Sequence, residues 1–453
     1  MESVKQKAND FSKGSVIGHI LRLALPMTAA QLITILYNVV DRVFIGRLGG
    51  SGAADALTGV GVCMPIITII MAFSNLIGAG AAPLISIERG RNNADEAEKL
   101  LGNAASLLLI IGAVITVLGL CFKTPLLRLL GASDATLPYA DTYITIYLFG
   151  AIFPVLTLGL NSMINAQGYG KIGMVTIALG AVLNIILDPI LMFVLDMGVA
   201  GAAVATVISQ AASAVWTVSF LLSKRAAYTI KFKNMISFSL RRVRKILSLG
   251  LAGFTMMATN AAVQSVCNMT LKQYGSDIYI GIMTIITSVR DILTLPVQGF
   301  SQGAQPVLGY NYGAAENKRV KLGIKYMSVI LIVYTVIAWL IVARLPNVFM
   351  RLFTDDPEMI ALGAGALHIY FFGFFFMALQ FCGQTVFTAL DKPKQAVFFS
   401  LFRKIIIVVP LTLLLPHFIT PQVNGVFWAE PVSNLIGGAA AFITMILTVY
   451  KKL

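Results

Sequence analysis

The stretch Ala81-Ala82-Pro83-Leu84 has a close match 223 positions later, Ala304-Gln305-Pro306-Val307. The match keeps the first alanine, the proline and an apolar residue after the proline. At the same shift, Tyr147-Leu148-Phe149-Gly150 returns as Tyr370-Phe371-Phe372-Gly373. Further matches keep this offset to within one position: Leu127-Arg128-Leu129 with Met350-Arg351-Leu352, and Gly201, Ala205 and Ser209 with Gly425, Ala429 and Ser433. The pattern indicates two copies of a unit of about 225 residues.

The composition indicates that both copies lie in a membrane. Hydrophobic residues make up 57% of the chain and charged residues 12%, whereas a soluble domain carries about 25% charged residues. The charges are segregated, which leaves apolar runs of about 20 residues or more, long enough to cross a bilayer. Duplicated apolar units of this kind are typical of secondary transporters.

Twelve transmembrane helices are predicted, six in each half. Their predicted ranges are 18–46, 54–86, 97–121, 137–163, 169–194, 199–222, 246–272, 279–310, 321–343, 360–388, 396–417 and 424–449. An even number per half makes the two repeats parallel. The predicted domains are a first bundle at 1–222, a basic linker at 223–245 and a second bundle at 246–453.

The positions of the basic residues predict the orientation. Most of the 34 Lys and Arg residues are assigned to the amino-terminal arm, the linker, the tail and alternate loops. Because positive loops stay in the cytoplasm, we expect a multi-pass protein of the cell membrane with both termini inside. Inside the predicted spans we expect only three cationic residues, Arg22, Arg42 and Arg290.

Helix one carries a polar stripe inside its apolar segment. The members are three or four residues apart and so share one helical face: Gln31, Thr34, Asn38 and Asp41. A carboxylate inside a membrane helix costs on the order of 3 kcal/mol, so it normally faces a cavity or a partner. Asp41 is therefore a candidate ion-binding group, and the other three are candidate substrate contacts. The alternative places Asp41 at the membrane surface, paired with Arg42 or Arg47.

Helix five supplies a second carboxylate. Asn184 and Asp188 lie four residues apart on one face, and Pro189 frees a backbone carbonyl in the turn before it. Two carboxylates and an amide can share a proton, or can supply oxygen ligands to a small cation such as Na+ at Asp41 and Asp188. The alternative is that Asp188 anchors the end of its helix. Thr206 and Asn161 are polar too, but such groups often serve helix packing.

The second half offers amides where the first offers carboxylates. Its candidate substrate contacts are Asn260, Gln264, Gln380, Gln384 and Glu430. Glu430 is the repeat equivalent of Thr206, so it is expected to face the cavity of its own half. Asp291 is expected to be neutralised by its neighbour Arg290.

The sequence lacks the motifs that several classes of function require. There is no phosphate-binding Gly-x4-Gly-Lys-Ser/Thr loop and no Gly-x-Ser-x-Gly nucleophile turn, so neither an ATP-driven pump nor an intramembrane enzyme is favoured. The four cysteines have spacings typical of neither a disulfide framework nor a zinc site. The excess of basic residues follows the predicted topology and is not gathered on a nucleic-acid-binding face. We expect no cofactor beyond a coupling ion, H+ or Na+.

The chain resembles the multidrug and toxic compound extrusion (MATE) family over essentially its full length. The resemblance rests on Pro26, Asp41 and Gly46 in helix one, Asn161 with Ala166-Gln167-Gly168, Asn184 to Asp188-Pro189, Gly201 to Thr206, Arg290, and Gly303 to Pro306. Within this family the chain resembles the DinF and MepA branch, because it has the amides Gln264 and Gln384 in helices seven and ten. Asn165 departs from the arginine of many relatives.

This resemblance implies a V-shaped pair of six-helix bundles and an alternating-access antiporter. It further implies export of cationic or amphipathic small molecules against protons or sodium by a monomer surrounded by lipid. The coupling site would comprise Asp41, Asn161, Asn184, Asp188 and Thr206. A flippase for lipid-linked oligosaccharides is the alternative, and it is disfavoured here because the predicted spans hold few cations.

Overall fold

The computed structural model describes residues 10–46 and 53–453, and every regular element in these ranges is a helix. In the first half the helices are α1 Val16–Gly46, α2 Ala53–Gly90, α3 Ala94–Leu129, α4 Leu137–Phe149 with Ile152–Ala166, α5 Gly170–Pro189 with Ile190–Val194, and α6 Gly198–Leu222. A short helix, Phe232–Ile236, follows in the linker.

The second half repeats this order. Its helices are α7 Leu240–Tyr274, α8 Asp277–Gly313, α9 Asn317–Arg344, α10 Pro357–Tyr370 with Phe375–Ala389, α11 Pro393–Leu401 with Phe402–Val408, Val409–Leu414 and Leu415–His417, and α12 Gln422–Ser433 with Asn434–Gly438, Ala439–Thr448 and Tyr450–Lys452. Pro346–Arg351 is a short helix between α9 and α10.

The number of spans agrees with the prediction. Among the described residues, ten helices are long and apolar enough to cross a membrane, and the number is twelve when each of the two bent pairs, α4 and α10, is taken as one span. Large apolar side chains such as Leu36, Val117 and Val215 are more than half exposed on the protein. An apolar surface of this extent is stable against lipid and not against water. The chain is therefore a multi-pass membrane protein built from two six-helix repeats.

The bends in α4 and α10 lie at equivalent places in the two repeats. The two segments of α4 meet at 54° and those of α10 at 49°. The break in α4 follows Phe149 at Gly150, and the break in α10 contains Gly373, whose φ of +67° favours glycine. The repeated Tyr-x-Phe-Gly sequence thus marks a repeated bend.

The contacts divide the chain into two compact units whose boundaries fall inside α1 and α7. The first unit contains Leu25–Gly250, and the second contains Phe11–Ala24 together with Leu251–Leu453. The first turns of α1 therefore belong with the second half, and the first turns of α7 with the first half. The predicted domains 1–222 and 246–453 differ from these units at both helices, and the linker lies in the first unit.

Glycines make these exchanged helix starts possible. A Cβ atom on Gly250 would lie 1.6 Å from the backbone oxygen of Leu76, and one on Gly80 would lie 2.0 Å from that of Ile246. In the second unit, a Cβ on Gly303 would lie 2.5 Å from the backbone nitrogen of Ala24. Only glycine permits such close backbone crossing in a membrane protein.

Hydrogen bonds from α3 hold the linker in the first unit. The buried Asn103 donates from Nδ2 to the carbonyls of Asn234 and Ser237, at 2.9 and 3.1 Å, and accepts at Oδ1 from the backbone N–H of Ser239 at 3.0 Å. Arg242 adds a bidentate ion pair with Glu96, both bonds being 2.8 Å long. The linker is thus a docked segment and not a free tether.

Replacing Asn103 should release this linker. Asn103→Ala removes three hydrogen bonds and leaves buried backbone groups unsatisfied, a cost of about 1–3 kcal/mol for each such group. We expect limited proteolysis of the purified protein to cut within residues 223–239 at least about tenfold faster. Asn347→Ala, at an exposed position of the second unit, is the control. Equal cleavage rates in both variants would show that Asn103 does not hold the linker.

Candidate functional site

Two carboxyl groups meet in the interior of the first unit. Asp188 is fully buried in α5 and Asp41 is 7% exposed in α1. The two side chains are within hydrogen-bonding range of each other, and two carboxyls can form such a bond only when one of them carries a proton, since an ionised carboxylate only accepts. Asn184 donates from Nδ2 to Asp188 Oδ1 at 3.1 Å and lies 3.5 Å from the hydroxyl of Thr206. The structure therefore brings Asp41, Asn184, Asp188 and Thr206 together.

Tyrosines surround this carboxyl pair, and the sequence analysis did not select them. The hydroxyl of Tyr143 hydrogen-bonds to Thr206, and Tyr37 lies within electrostatic range of both carboxyls. Tyr147 stacks on Tyr143, with ring centroids 6.4 Å apart. The spacing of Tyr143 and Tyr147 by four residues in α4 is the sequence signal that could have revealed them. The phenol groups of Tyr37 and Tyr143 thus lie near the carboxyl pair.

Asn161 does not join this group. Its Nδ2 donates to the backbone oxygen of Gly173 at 3.3 Å, near the start of α5. Gly173 and Asn184 are separated by eleven residues, or about 16 Å along a helix. The placement of Asn161 beside the carboxyls is wrong, and the bond to Gly173 gives this residue a role in packing α4 against α5.

The rest of the polar stripe on α1 is only partly described. Thr34 donates to the carbonyl of Ala30 in its own helix at 3.0 Å, and Gln31 is half-buried. The side chain of Asn38, as well as residue Arg47, lies outside the described residues. The substrate contacts expected at Gln31, Thr34 and Asn38 stay predictions.

The second unit contains two buried cations, Arg403 and Lys404, that were not among the internal cations expected from the sequence. Arg403 donates to Glu430 Oε1 at 2.9 Å, and Lys404 lies 3.4 Å from the same oxygen. These side chains are 11% and 5% exposed, and that of Glu430 is 8% exposed. The statement that only Arg22, Arg42 and Arg290 are internal cations is therefore wrong. Both residues fall within the predicted span 396–417, which was the signal for their burial.

The local backbone shapes this cluster. Arg403 and Lys404 lie in a π-helical segment of α11, Phe402–Val408, and Glu430 precedes the π-helical segment Asn434–Gly438 of α12. Asn434 accepts from Arg403 at 2.6 Å. A Cβ on Gly437 would lie 2.7 Å from Cγ of Arg403, so the glycine makes room for the arginine stem. π-helical turns inside α-helices are frequent at functional sites.

A small cavity adjoins the cluster inside the second unit. Its wall includes Gln264, Thr287, Arg290, Tyr370 and Glu430. Arg290 donates to the Tyr370 hydroxyl at 2.9 Å and pairs with Asp291, whose side chain is 63% exposed. Two of the predicted substrate contacts, Gln264 and Glu430, therefore line one cavity, but Glu430 is already paired with two cations.

The other predicted amides do not line this cavity. Gln384 donates from Nε2 to the carbonyl of Ala396 at 2.9 Å, and Gln380 to that of Phe399 at 3.3 Å. Both bonds join α10 to α11. Asn260 is exposed on α7. Gln380 and Gln384 therefore join α10 to α11 and do not line the cavity beside Gln264, while the substrate contacts expected at Gln380, Gln384 and Asn260 stay predictions.

Removing the anion of this ion cluster should lower the stability of the protein, whereas removing one of its two cations should not. Glu430→Gln leaves Arg403 and Lys404 without a counter-charge, and breaking a buried pair costs about 3–5 kcal/mol. Lys404→Met removes one cation and leaves the Arg403–Glu430 pair, so it should be neutral or stabilising. We expect thermal unfolding in detergent to show a Tm several degrees lower for Glu430→Gln only. The exposed Glu316→Gln is the control, and a larger loss in Lys404→Met would contradict this account.

Comparisons with known proteins agree with this fold. The family model MatE matches residues 26–190 and 253–414. The multidrug export protein MepA of Staphylococcus haemolyticus (strain JCSC1435) is 25% identical over 437 residues, which cover 96% of this chain and 94% of that protein. A crystal structure of MATE in the bent conformation superposes with a TM-score of 0.92 at 22% identity, covering 98% of each chain.

A second solved structure is similar to the same extent. It is the outward-facing conformation of a multidrug resistance MATE family transporter of the MOP superfamily, with a TM-score of 0.90 at 22% identity over 99% of each chain. The structural similarity extends over both repeats. Since the family model also covers more than half of the sequence, the chain belongs to the MatE family.

Proposed function

We propose that this protein is a secondary active multidrug exporter that exchanges protons for amphipathic small molecules. The observation that carries the proposal is the pair of buried carboxyls, Asp41 and Asp188, which are close enough to share a proton. The relative named as a multidrug export protein, which aligns over 96% of this chain, supports the class of activity.

The chemistry of the carboxyl pair supports proton coupling in particular. Two carboxyls in contact inside a membrane are costly to ionise together, so the pair is stable with one proton and must lose it to a water-filled path. Asn184 donates to Asp188 and thereby stabilises the charge that remains. Sodium is the alternative ion, since Asn184 Oδ1 accepts no hydrogen bond from the described residues and is an oxygen ligand.

The proposal leaves the charge of the substrate open at this point. The resemblance to the family implies cationic substrates, for which Glu430 is the natural counter-ion. In the second unit that carboxylate is paired with Arg403 and Lys404, which does not support a cation site there. The small number of cations in the predicted spans no longer argues against the flippase alternative, because the second unit contains buried cations. Similarity to a multidrug export protein nevertheless favours export of small molecules.

Neutralising either carboxyl should abolish coupling. We expect Asp41→Asn and Asp188→Asn each to reduce gradient-driven transport to the level of empty proteoliposomes, because an amide keeps the shape of the side chain but cannot release a proton. Transport of a fluorescent amphipathic compound is measured with a pH gradient and a sodium gradient imposed separately.

Asp141→Asn provides the matched control for this experiment. Asp141 lies in the same unit and is paired with Lys123 at 2.6 Å, away from the carboxyl pair. The Asp141→Asn variant should therefore transport normally. Normal transport by Asp188→Asn would refute proton coupling at this pair, and transport driven only by the sodium gradient would replace the proton with sodium.

We further propose that the linker and both termini face the cytoplasm of the cell, as the distribution of Lys and Arg predicts. In a Cys121→Ser background, which removes the exposed native cysteine, Lys233→Cys places a thiol in the exposed linker and Asp134→Cys places one in the turn after α3. An impermeant maleimide added to intact cells should label position 134 and not position 233. The reverse pattern would invert the topology.

A further inference from the structure

The cavity of the second unit is surrounded by more positive than negative charge. Arg290 lies in its wall, and Arg403 and Lys404 lie behind Glu430. Glu430 is the one buried carboxylate among these groups, because Asp291 is 63% exposed at the side chain. Three cations therefore share one buried and one exposed carboxylate, which leaves a surplus of one positive charge. Uncompensated charge away from water is costly, so this arrangement favours a ligand that brings negative charge.

The hydrogen-bonding groups of the wall point to the same chemistry. The Arg290 guanidinium uses Nη1 for Tyr370 and Nε and Nη2 for Asp291, and each terminal nitrogen has a further N–H to donate. Tyr370 accepts from Arg290 and so keeps its own O–H for an acceptor. Gln264 gives one N–H to Asn268 and has a second one available. The wall thus offers several donors to an anionic oxygen.

Arg403 and Lys404 explain why Glu430 does not repel such an ion. Both cations are bonded to its carboxylate, and Asn434 and the space at Gly437 fix the position of Arg403. The negative charge in the wall is thereby offset from behind, while the charge of Arg290 stays at the cavity surface. The cavity has a volume of about 20 Å³, little more than the roughly 10–15 Å³ that one buried water needs and far below the volume of sites that hold whole drugs. It suits one charged group and not an entire drug.

We propose that this cavity binds a single anionic group, a carboxylate or a phosphate, and that Arg290 is its principal partner. The proposal rests on the exporter function and specifies its substrate class: amphipathic compounds that carry a negative charge at one end. The same group could come from an exported compound or from a membrane lipid, and the experiment below separates these two sources.

Binding is measured first, without any gradient. The probes are two naphthalene amphipaths of matched size, one ending in a carboxylate and the other in a trimethylammonium group, added to protein in an uncharged detergent. We expect Arg290→Gln to weaken binding of the carboxylate probe about tenfold, the loss of one charged hydrogen-bonding partner, without weakening the cationic probe. Lys404→Gln should also weaken the carboxylate probe, since Glu430 would then be less compensated. The exposed Lys325→Gln is the matched control.

Stronger binding of the cationic probe by the unmodified protein, or equal losses for both probes in Arg290→Gln, would overturn the proposal. Because Arg290→Gln could disturb folding, Asp291→Asn is measured beside it. Removing the carboxylate that pairs with Arg290 should strengthen binding of the carboxylate probe, which a merely destabilised protein would not do. Unchanged binding of the carboxylate probe in both variants would also refute the site.

Transport then identifies the source of the anion. In vesicles of phosphatidylcholine alone, uptake of the carboxylate probe under a pH gradient assigns the anionic group to the exported compound. If phosphatidylglycerol displaces the probe, and the lipid co-purifies with the unmodified protein but not with Arg290→Gln, a lipid phosphate is the ligand, and the assignment to exported compounds is overturned. Binding that depends on Arg290 without any gradient-driven transport would refute the exporter function and leave the anion site standing.

Discussion

The cost of holding an ionised side chain away from water governs both units of this protein. A charge inside a membrane must be neutralised by a proton, by an opposite charge or by a ligand. In the first unit two buried carboxyls, Asp41 and Asp188, are neighbours, and we propose that a proton neutralises one of them. The second unit uses an ion pair, in which Arg403 and Lys404 surround Glu430. The helices are alike in the two units, and the charges they carry differ in sign.

The fifth helix of each repeat shows how one architecture carries both arrangements. In α5 the helix passes Asp188 and Pro189 and widens into the π-helical segment Ile190–Val194. In α11, the fifth helix of the second repeat, the π-helical segment lies nearer the start of the helix, at Phe402–Val408, and contains Arg403 and Lys404. A wider turn loosens the regular backbone ladder and redirects side chains. The two copies thus place their charged residues and their π-helical segments at different points along the same helix of the repeat.

Much of this organisation was predictable from the sequence because repeats and hydropathy act over long stretches. The offset of 223 positions predicted the equivalence of the bends at Gly150 and Gly373, although not the bends themselves. The spacing of Asn184 and Asp188 predicted their shared face, and their meeting with Asp41 followed. The multi-pass fold and the family were likewise predictable from composition and motifs.

The errors share one physical cause, which is that helical spacing gives a face but not a partner. Gln380 and Gln384 lie on one face of α10, yet that face packs on α11. Asn161 is polar and buried, but its partner is the backbone at Gly173. Arg403 and Lys404 lie inside the predicted span 396–417 but were not counted among its internal cations. Their burial depends on Glu430, which is distant in sequence.

The exchanged starts of α1 and α7 have a consequence for the origin of this chain. Each repeat gives the first turns of its first helix to the other repeat's unit, at Ala24 and at Gly250. Two separate copies of a six-helix ancestor that packed in this way would form a domain-swapped dimer, the arrangement in which identical elements trade places. The present polypeptide has the organisation of such a dimer after gene fusion. In that interpretation the docked linker is the join between two former subunits, and fusion freed each copy to evolve its own charges.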